Sequence, residues 1–248
     1  KTALKAAGPA PETLESLVAR AEALQGGEYL PSSWAVFAQA LDTAQAALER
    51  PEERDAARAA LRAAMDALVP AENVLLGLLP DSDAEIENPA AATDGSAAAA
   101  GWSADSDKSG YTTIFAGQEG GEENGYGSWP GAYLQYDLGR ERSIAELVIH
   151  RSWYAADLRP VTWKDCMIQL STEADFAPEH TVTAGPGDLA QPGDTEAAGT
   201  ARAGAQLVRL DAPAAARYIR VYGRGHLGGW GNYSARMSYA EILAFSTD

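Results

Sequence analysis

The apolar residues of this chain follow one period up to residue 69 and another from residue 91 onward, so its two parts must fold differently. In the first part Leu14, Leu17, Val18, Ala21 and Leu24 fall three or four apart and stop at Gly26-Gly27. Pro31-Ser32-Ser33 opens a second run that carries Trp34, Phe37, Leu41, Ala44 and Leu48 on one face. Arg50-Pro51-Glu52-Glu53 opens a third, with Ala57, Leu61, Met65 and Leu68 inward and Arg54, Arg58 and Arg62 outward. Such spacings stack side chains on one helical face, and proline with acidic residues suits a helix N-terminus. The expectation over residues 10–70 is three amphipathic helices in a small antiparallel bundle.

From residue 91 the period is two. Leu134, Tyr136 and Leu138 alternate before Gly139, and Ala145, Leu147 and Ile149 alternate before His150. Residues 167–170, 207–210, 219–221 and 240–244 supply further strands. No helical stripe separates them, so the expectation over residues 88–248 is all-β, an antiparallel β-sandwich. The aromatic residues divide at the same place: only Tyr29, Trp34 and Phe37 precede residue 100. Segments 101–132 and 185–205, rich in Gly and Pro, read as long loops. Residues 71–87, acidic and punctuated by proline, read as a solvated linker. Asp81, Asp83, Glu85 and Glu87 alternate as in a calcium loop, but the glycine needed for its sharp turn is absent.

Charge removes several partners. Of the net −16, −10 falls between residues 71 and 130, and no Lys/Arg stripe is present to neutralise phosphates. Nucleic acid is therefore not an expected partner, and anionic lipid is disfavoured. No apolar run is long enough to insert in a membrane. The one cysteine, Cys166, lies in an apparent strand and reads as a buried, inert thiol. The chain begins at Lys1 without a signal peptide and reads as a fragment of something larger.

One constellation carries binding chemistry. The apolar run Ile144 to Ile149 delivers His150-Arg-Ser-Trp153 to the edge of a loop. Imidazole both donates and accepts hydrogen bonds, and an indole supplies a large rigid apolar face. A protein needs this pairing to hold a sugar. From the residues alone, a sugar site and a surface histidine beside an edge-of-core tryptophan are equal readings. Gly228-Gly-Trp230-Gly-Asn232-Tyr233 offers Trp230 for stacking, because its glycine neighbours have little bulk to bury it, and Asn232 beside it. Trp129, in Gly127-Ser-Trp-Pro-Gly131, is another candidate wall of the site, with core packing as its alternative.

Two resemblances extend this reading. Tyr29, Ser33-Trp34, Ala40-Leu41 and Ala44 form a pattern that resembles the FIVAR module, a helical spacer of bacterial surface and secreted proteins. Asp94-Gly95, Tyr133-Leu-Gln-Tyr-Asp-Leu-Gly139, Arg217-Tyr-Ile-Arg-Val221 and Tyr239-Ala-Glu-Ile-Leu-Ala-Phe245, in that order, resemble the F5/8 type C, discoidin-like fold. Within it the chain is most similar to the family 32 carbohydrate-binding modules attached to bacterial carbohydrate-active enzymes. That resemblance implies that His150 bonds a sugar hydroxyl and that Trp153, three residues on, stacks on the ring. It also implies an Arg from a neighbouring loop, for which Arg159, Arg151 and Arg224 stand near loop edges, with Arg159 carried in the site set. Tyr133 stands near the place where the family has a Glu upstream of the His. A structural Ca2+ is implied between Asp94 and Glu241, with Ala240 beside it.

The resemblances together imply a non-catalytic fragment, secreted or at the bacterial cell surface, that binds terminal Gal, GalNAc or LacNAc and serves an attached catalytic domain, such as a glycoside hydrolase. The alternative is an adhesion or protein-binding discoidin module of a surface protein. Three other matches are set aside. Gly223-x-Gly225-x-x-Gly228 follows a strand but opens no helix, Asn232-Tyr-Ser234 is a sequon meaningful only in a eukaryote, and His150, His180 and His226 lack metal spacing.

Overall fold

The computed structural model describes residues 12–95, 101–102, 112–115, 133–151, 153–154, 165–184, 205–224 and 236–248. The chain divides into two compact units, residues 1–71 and 72–248. Among the described residues no helix is long and apolar enough to cross a membrane.

The first unit is the three-helix bundle: α1 (Leu14–Ala21), α2 (Pro31–Ala47) and α3 (Arg54–Asp66). Thr13 caps α1 by accepting the Ser16 N–H, and Pro31 takes the first position of α2. Leu14, Leu17, Val18, Phe37, Ala44, Ala57 and Leu61 are buried together, with Trp34, Leu41, Leu48, Met65 and Leu68 packed against them. Arg54, Arg58 and Arg62 point outward, to Glu15, Asp55 and Glu12 respectively. The helix α1 ends at Ala21, before the expected Gly26-Gly27, and Gly26 instead opens a 3-10 turn where an added Cβ would lie 2.8 Å from Cε2 of Trp34. The Trp34 ring packs against Tyr29 at 5.9 Å and against Phe37 at 4.8 Å between centroids. Ser33 donates to the Leu30 carbonyl and accepts the Val69 N–H, tying the end of the bundle to the start of α2.

The second unit is built from β1 (Glu72–Asn73), β2 (Glu85–Glu87), β3 (Gly101–Trp102), β4 (Thr112–Phe115), β5 (Tyr133–Arg151), β6 (Trp153–Tyr154), β7 (Asp165–Ser171), β8 (Thr181–Ala184), β9 (Ala205–Arg224) and β10 (Arg236–Ser246). One antiparallel sheet runs β2-β4-β10-β5-β9-β7-β8, with β1 also on β10, while β3 and β6 form a short parallel pair. Residues 72–87, read from the sequence as a linker, belong to this unit instead. Glu72-Asn73 pairs with the end of β10, Glu85–Glu87 pairs with β4, and Asp81 bridges to Gln135.

The long strands β5 and β9 make a single sheet into a sandwich. Asp137 pairs with Tyr218 and Arg142 with Ala216, so residues 138–141 of β5 bulge out opposite Arg217 alone. Gly139 sits at this corner with φ +75°, a conformation that side chains disfavour. Before the corner, β5 and β9 continue into β7 and β8; beyond it, they continue into β10, β4 and β2. Both arms bury their inner faces in one core that holds Leu134, Tyr136, Ile219 and Val221 together with Ile144, Leu147, Ile149 and Ile242. A second bulge, between Ile144 and Glu146, changes the buried positions of β5 from even to odd numbers. On the outer face of the first arm the Arg220 guanidinium lies between the rings of Tyr133 (4.3 Å) and Phe176 (3.9 Å). Arg142, buried at the other end, joins Glu72 to Asp248.

Candidate functional site

Strand β5 carries His150 next to its end, and β10 carries Glu241 near its start. The two residues are register partners, while Ile149 and Ile242, one step inward, are partners in the core. Because faces alternate along a strand, His150 and Glu241 share the opposite face. The register between Tyr239 and Glu241 slips by one residue, Ala240, so two residues of β10 oppose one of β5. The bulge lies just past the pair: the register of Ile149 with Ile242 already sets Glu241 opposite His150, and the extra residue makes Tyr239 the partner of Arg151. On its other side His150 pairs with Ala205 of β9.

Glu241 is fully buried and its Oε1 accepts the Gly95 N–H at 3.2 Å. Gly95 follows Asp94, and the 3-10 turn Ala91–Thr93 before them packs on β10. The turn is anchored on several sides: Ala92 N–H to Thr112 Oγ1 (2.9 Å), Thr112 Oγ1 to the Asn88 carbonyl (2.7 Å) and Gly77 N–H to the Thr93 carbonyl (2.7 Å). Gly95 has φ +83°, and an added Cβ would meet Leu76 at 3.2 Å, so the position requires glycine twice over. Asp94 itself is exposed.

The electrostatics follow burial. Desolvation holds the His150 imidazole below its ordinary pKa, so its neutral donor-acceptor form is favoured. Tyr136 is buried in the core, and its hydroxyl has no hydrogen-bond partner among the described residues. Burial first, and the negative charge of Glu241 second, push that hydroxyl far above the normal tyrosine range.

Asp94-Gly95, Glu241 and Ala240, expected together from the sequence, are brought together by the structure. Of Trp153 the backbone is described: it pairs with Gly101, and Tyr154 pairs with Trp102. The side chain of Trp153, together with Trp129, Arg159, Trp230 and Asn232, lies outside the described residues. Sequence reading missed that His150 and Glu241 are partners. The pairing follows from the core register of Ile149 with Ile242, which no spacing along one strand reveals.

No family model matches the chain, and no curated protein matches it. Among solved structures it is similar to the lectin domain of lectinolysin complexed with Lewis B antigen, with 15% identity, a TM-score of 0.43, and 71% of this chain and 96% of that one covered. It is also similar to a Streptococcus pneumoniae fucose binding module, with 13% identity, a TM-score of 0.44, and 71% and 96% covered. A third is the family 32 carbohydrate-binding module of C. perfringens NanJ in complex with galactose, with 14% identity, a TM-score of 0.41, and 68% and 94% covered.

Proposed function

We propose that this chain is a non-catalytic carbohydrate-binding fragment: a FIVAR-type helical spacer over residues 10–70, followed by a family 32-type β-sandwich that binds terminal Gal, GalNAc or LacNAc. Its parent is a secreted or surface bacterial enzyme acting on glycans. What supports the reading is the place of His150, half-buried beside the end of a rigid strand, with β6 and Trp153 immediately beyond it. A loop-edge site on a β frame is a common binding arrangement. One imidazole and one stacking ring give weak binding, on the order of micromolar to millimolar. Tethering to a catalytic domain then raises local concentration rather than intrinsic affinity.

A structural calcium ion belongs to the same reading, with Asp94 and Glu241 as carboxylate ligands and Ala240 contributing its carbonyl. The donor set fits a hard cation, which takes six to eight oxygens. Among the described residues no three His, Cys, Asp or Glu stand together, so backbone carbonyls would complete the shell. Bound there, the ion would supply fixed positive charge that holds the Asp94-Gly95 turn against β10.

A glycan array and calorimetric titration with galactose, on wild type, His150→Ala and Trp153→Ala, test the sugar site. Truncating His150 leaves a sugar hydroxyl without its partner, so affinity falls about 5- to 150-fold, equivalent to about 1–3 kcal/mol. Wild-type binding by His150→Ala would remove the histidine from the site. Turnover of a chromogenic galactoside by this chain would overturn the non-catalytic reading. A lower melting temperature in chelator than in calcium tests the ion separately.

One observation favours a second reading, a protein-binding surface. Leu76, on the turn beside Gly95, and Leu79, three residues on, are 58% and 64% exposed. Under that reading, Leu76→Ser with Leu79→Ser abolishes cell-surface adhesion and leaves the glycan array unchanged.

A further inference from the structure

We propose that the outer face formed by β5, β9 and β7 is a second glycan site, specific for hexuronates, in which Arg220 binds the sugar carboxylate. The face lies on the other half of β5 from His150, and it needs neither that residue nor a cation.

Strand register assembles it. Gln135 of β5, Arg220 of β9 and Gln169 of β7 are partners in one row across three strands. Tyr133 pairs with Tyr222 in the row on one side, and Asp137 pairs with Tyr218 in the row on the other. Partners share a face, so these side chains stand together on the side away from Leu134, Ile219 and Ile168 in the core. Tyr133, Gln135, Gln169 and Arg220 are each half-buried, within reach of a ligand laid on the sheet. From Gln135 to Gln169 is two strand spacings, about 10 Å, enough for more than one sugar ring.

Arg220 lacks the counter-ion that other arginines of this unit have. Arg142, Arg209 and Arg217 face Glu72, Glu146 and Asp137 respectively. Among the described residues no carboxylate pairs with Arg220, although its guanidinium is half-buried. Of the acids near this row, Asp137 is held by Arg217, and Asp81 accepts the Ser82 N–H. The guanidinium sits instead between the Tyr133 and Phe176 rings. Phe176 holds φ +53° to seat its ring there, a conformation that aromatic residues rarely adopt. Nε donates to Gln135 Oε1 at 2.7 Å, which leaves the two Nη groups for a ligand.

Both glutamines turn their oxygens to the protein: Gln135 to Arg220, and Gln169 to the Tyr222 hydroxyl at 2.9 Å. Among the described residues their amide N–H groups make no hydrogen bond. A cation beside unspent N–H donors calls for acceptors, and a carboxylate meets a guanidinium fork in two parallel bonds. Tyr133 adds apolar ring surface for the C–H groups of a sugar. A hexuronate carries both chemistries in one residue.

The experiment is nuclear magnetic resonance titration of the isotope-labelled full chain with trigalacturonate and a hyaluronan tetrasaccharide, and with the methyl ester of each. Chelator is present throughout, so that no cation bridges ligand and protein. The acids should shift the side-chain amide signals of Gln135 and Gln169. The esters, equal in rings but uncharged, should bind about tenfold more weakly or worse. Arg220→Lys keeps the charge and loses the fork, and should weaken the acids by a similar factor while a thermal scan shows it folded. Gln135→Ala and Gln169→Ala, which keep Arg220, should each weaken them by a smaller factor, and they carry the test if Arg220→Lys does not fold. His150→Ala should bind the acids as wild type does, whether or not galactose binding is lost. Equal affinity for acid and ester, or undiminished binding by folded Arg220→Lys, overturns the proposal. Shifts gathered at His150 rather than at the two glutamines, with binding lost in His150→Ala, put the acid at the loop edge and overturn the second site. No binding of either acid overturns it outright.

Discussion

Asp137 and Arg217 lock the corner of the β5–β9 ribbon with two parallel bonds of 2.9 Å, one from Nε and one from Nη2. The guanidinium holds the Asp137 carboxyl below the usual carboxylate range, the Gly139 N–H adding to the effect. A carboxyl depressed in the folded state contributes stability above its unfolded value of about 3.9, and that stability is lost as pH falls through the folded value. Asp248 is depressed in the same direction by the Ser246 hydroxyl and the Ser143 N–H. The melting temperature of the β unit should therefore fall below about pH 4. The acid limb should flatten in Asp137→Asn, and an unchanged limb in that variant would remove Asp137 from the account.

Leu147 is fully buried in the shared core, whereas Leu207, a strand neighbour, is 44% exposed. Leu147→Ala removes buried methyl groups and leaves a cavity, for a loss of about 2–5 kcal/mol. Leu207→Ser should stay within about 0.5 kcal/mol of wild type. Urea unfolding followed by the near-ultraviolet signal of the β unit separates the two.

In the helical unit the tight contact is between Gly26 and Trp34. Gly26→Ala drives a methyl into the indole, and overpacking of this kind destabilises by about 1–3 kcal/mol. Trp34→Leu removes the obstructing ring, so the alanine should be tolerated in that background. A thermal scan of the far-ultraviolet helical signal for both single variants and the double variant measures the interaction directly. Equal effects of Gly26→Ala with and without Trp34 would refute the contact.

Ser33 bonds to both Leu30 and Val69, at 2.9 Å and 3.2 Å. Ser33→Ala removes both bonds, for a loss of about 1–2 kcal/mol from the bundle. The same helical signal reports it, and Ser33→Thr, which keeps the hydroxyl, should restore most of the loss.

The helices were readable because each stripe, such as Leu14-Leu17-Val18-Ala21, is a property of one segment. The same holds for the alternation at Leu134-Tyr136 and Leu147-Ile149. Glu72-Asn73 and Glu85–Glu87 were not readable as strands, since two or three residues carry no alternation and their pairing is decided by β10 and β4. The bulges at Ala240 and after Ile144 are features of a strand pair, and no single strand encodes its partner's count. For the candidate site, resemblance set Asp94-Gly95 beside Glu241, and the structure joins them through the Gly95 N–H, whereas the pairing of His150 with Glu241 was not legible. Trp129, Arg159, Trp230 and Asn232 fall outside the described residues, so their part in the site rests on the sequence.

Because β5 and β9 each run unbroken through both layers of the sandwich, neither layer can be peeled away while the other keeps its full set of hydrogen bonds. Amide protons at Leu134, in one layer, and at Leu147, in the other, would then exchange with solvent through the same opening event. The gain is resistance to nicking within the strands: a protease finds the two layers closed together or open together, with little in between.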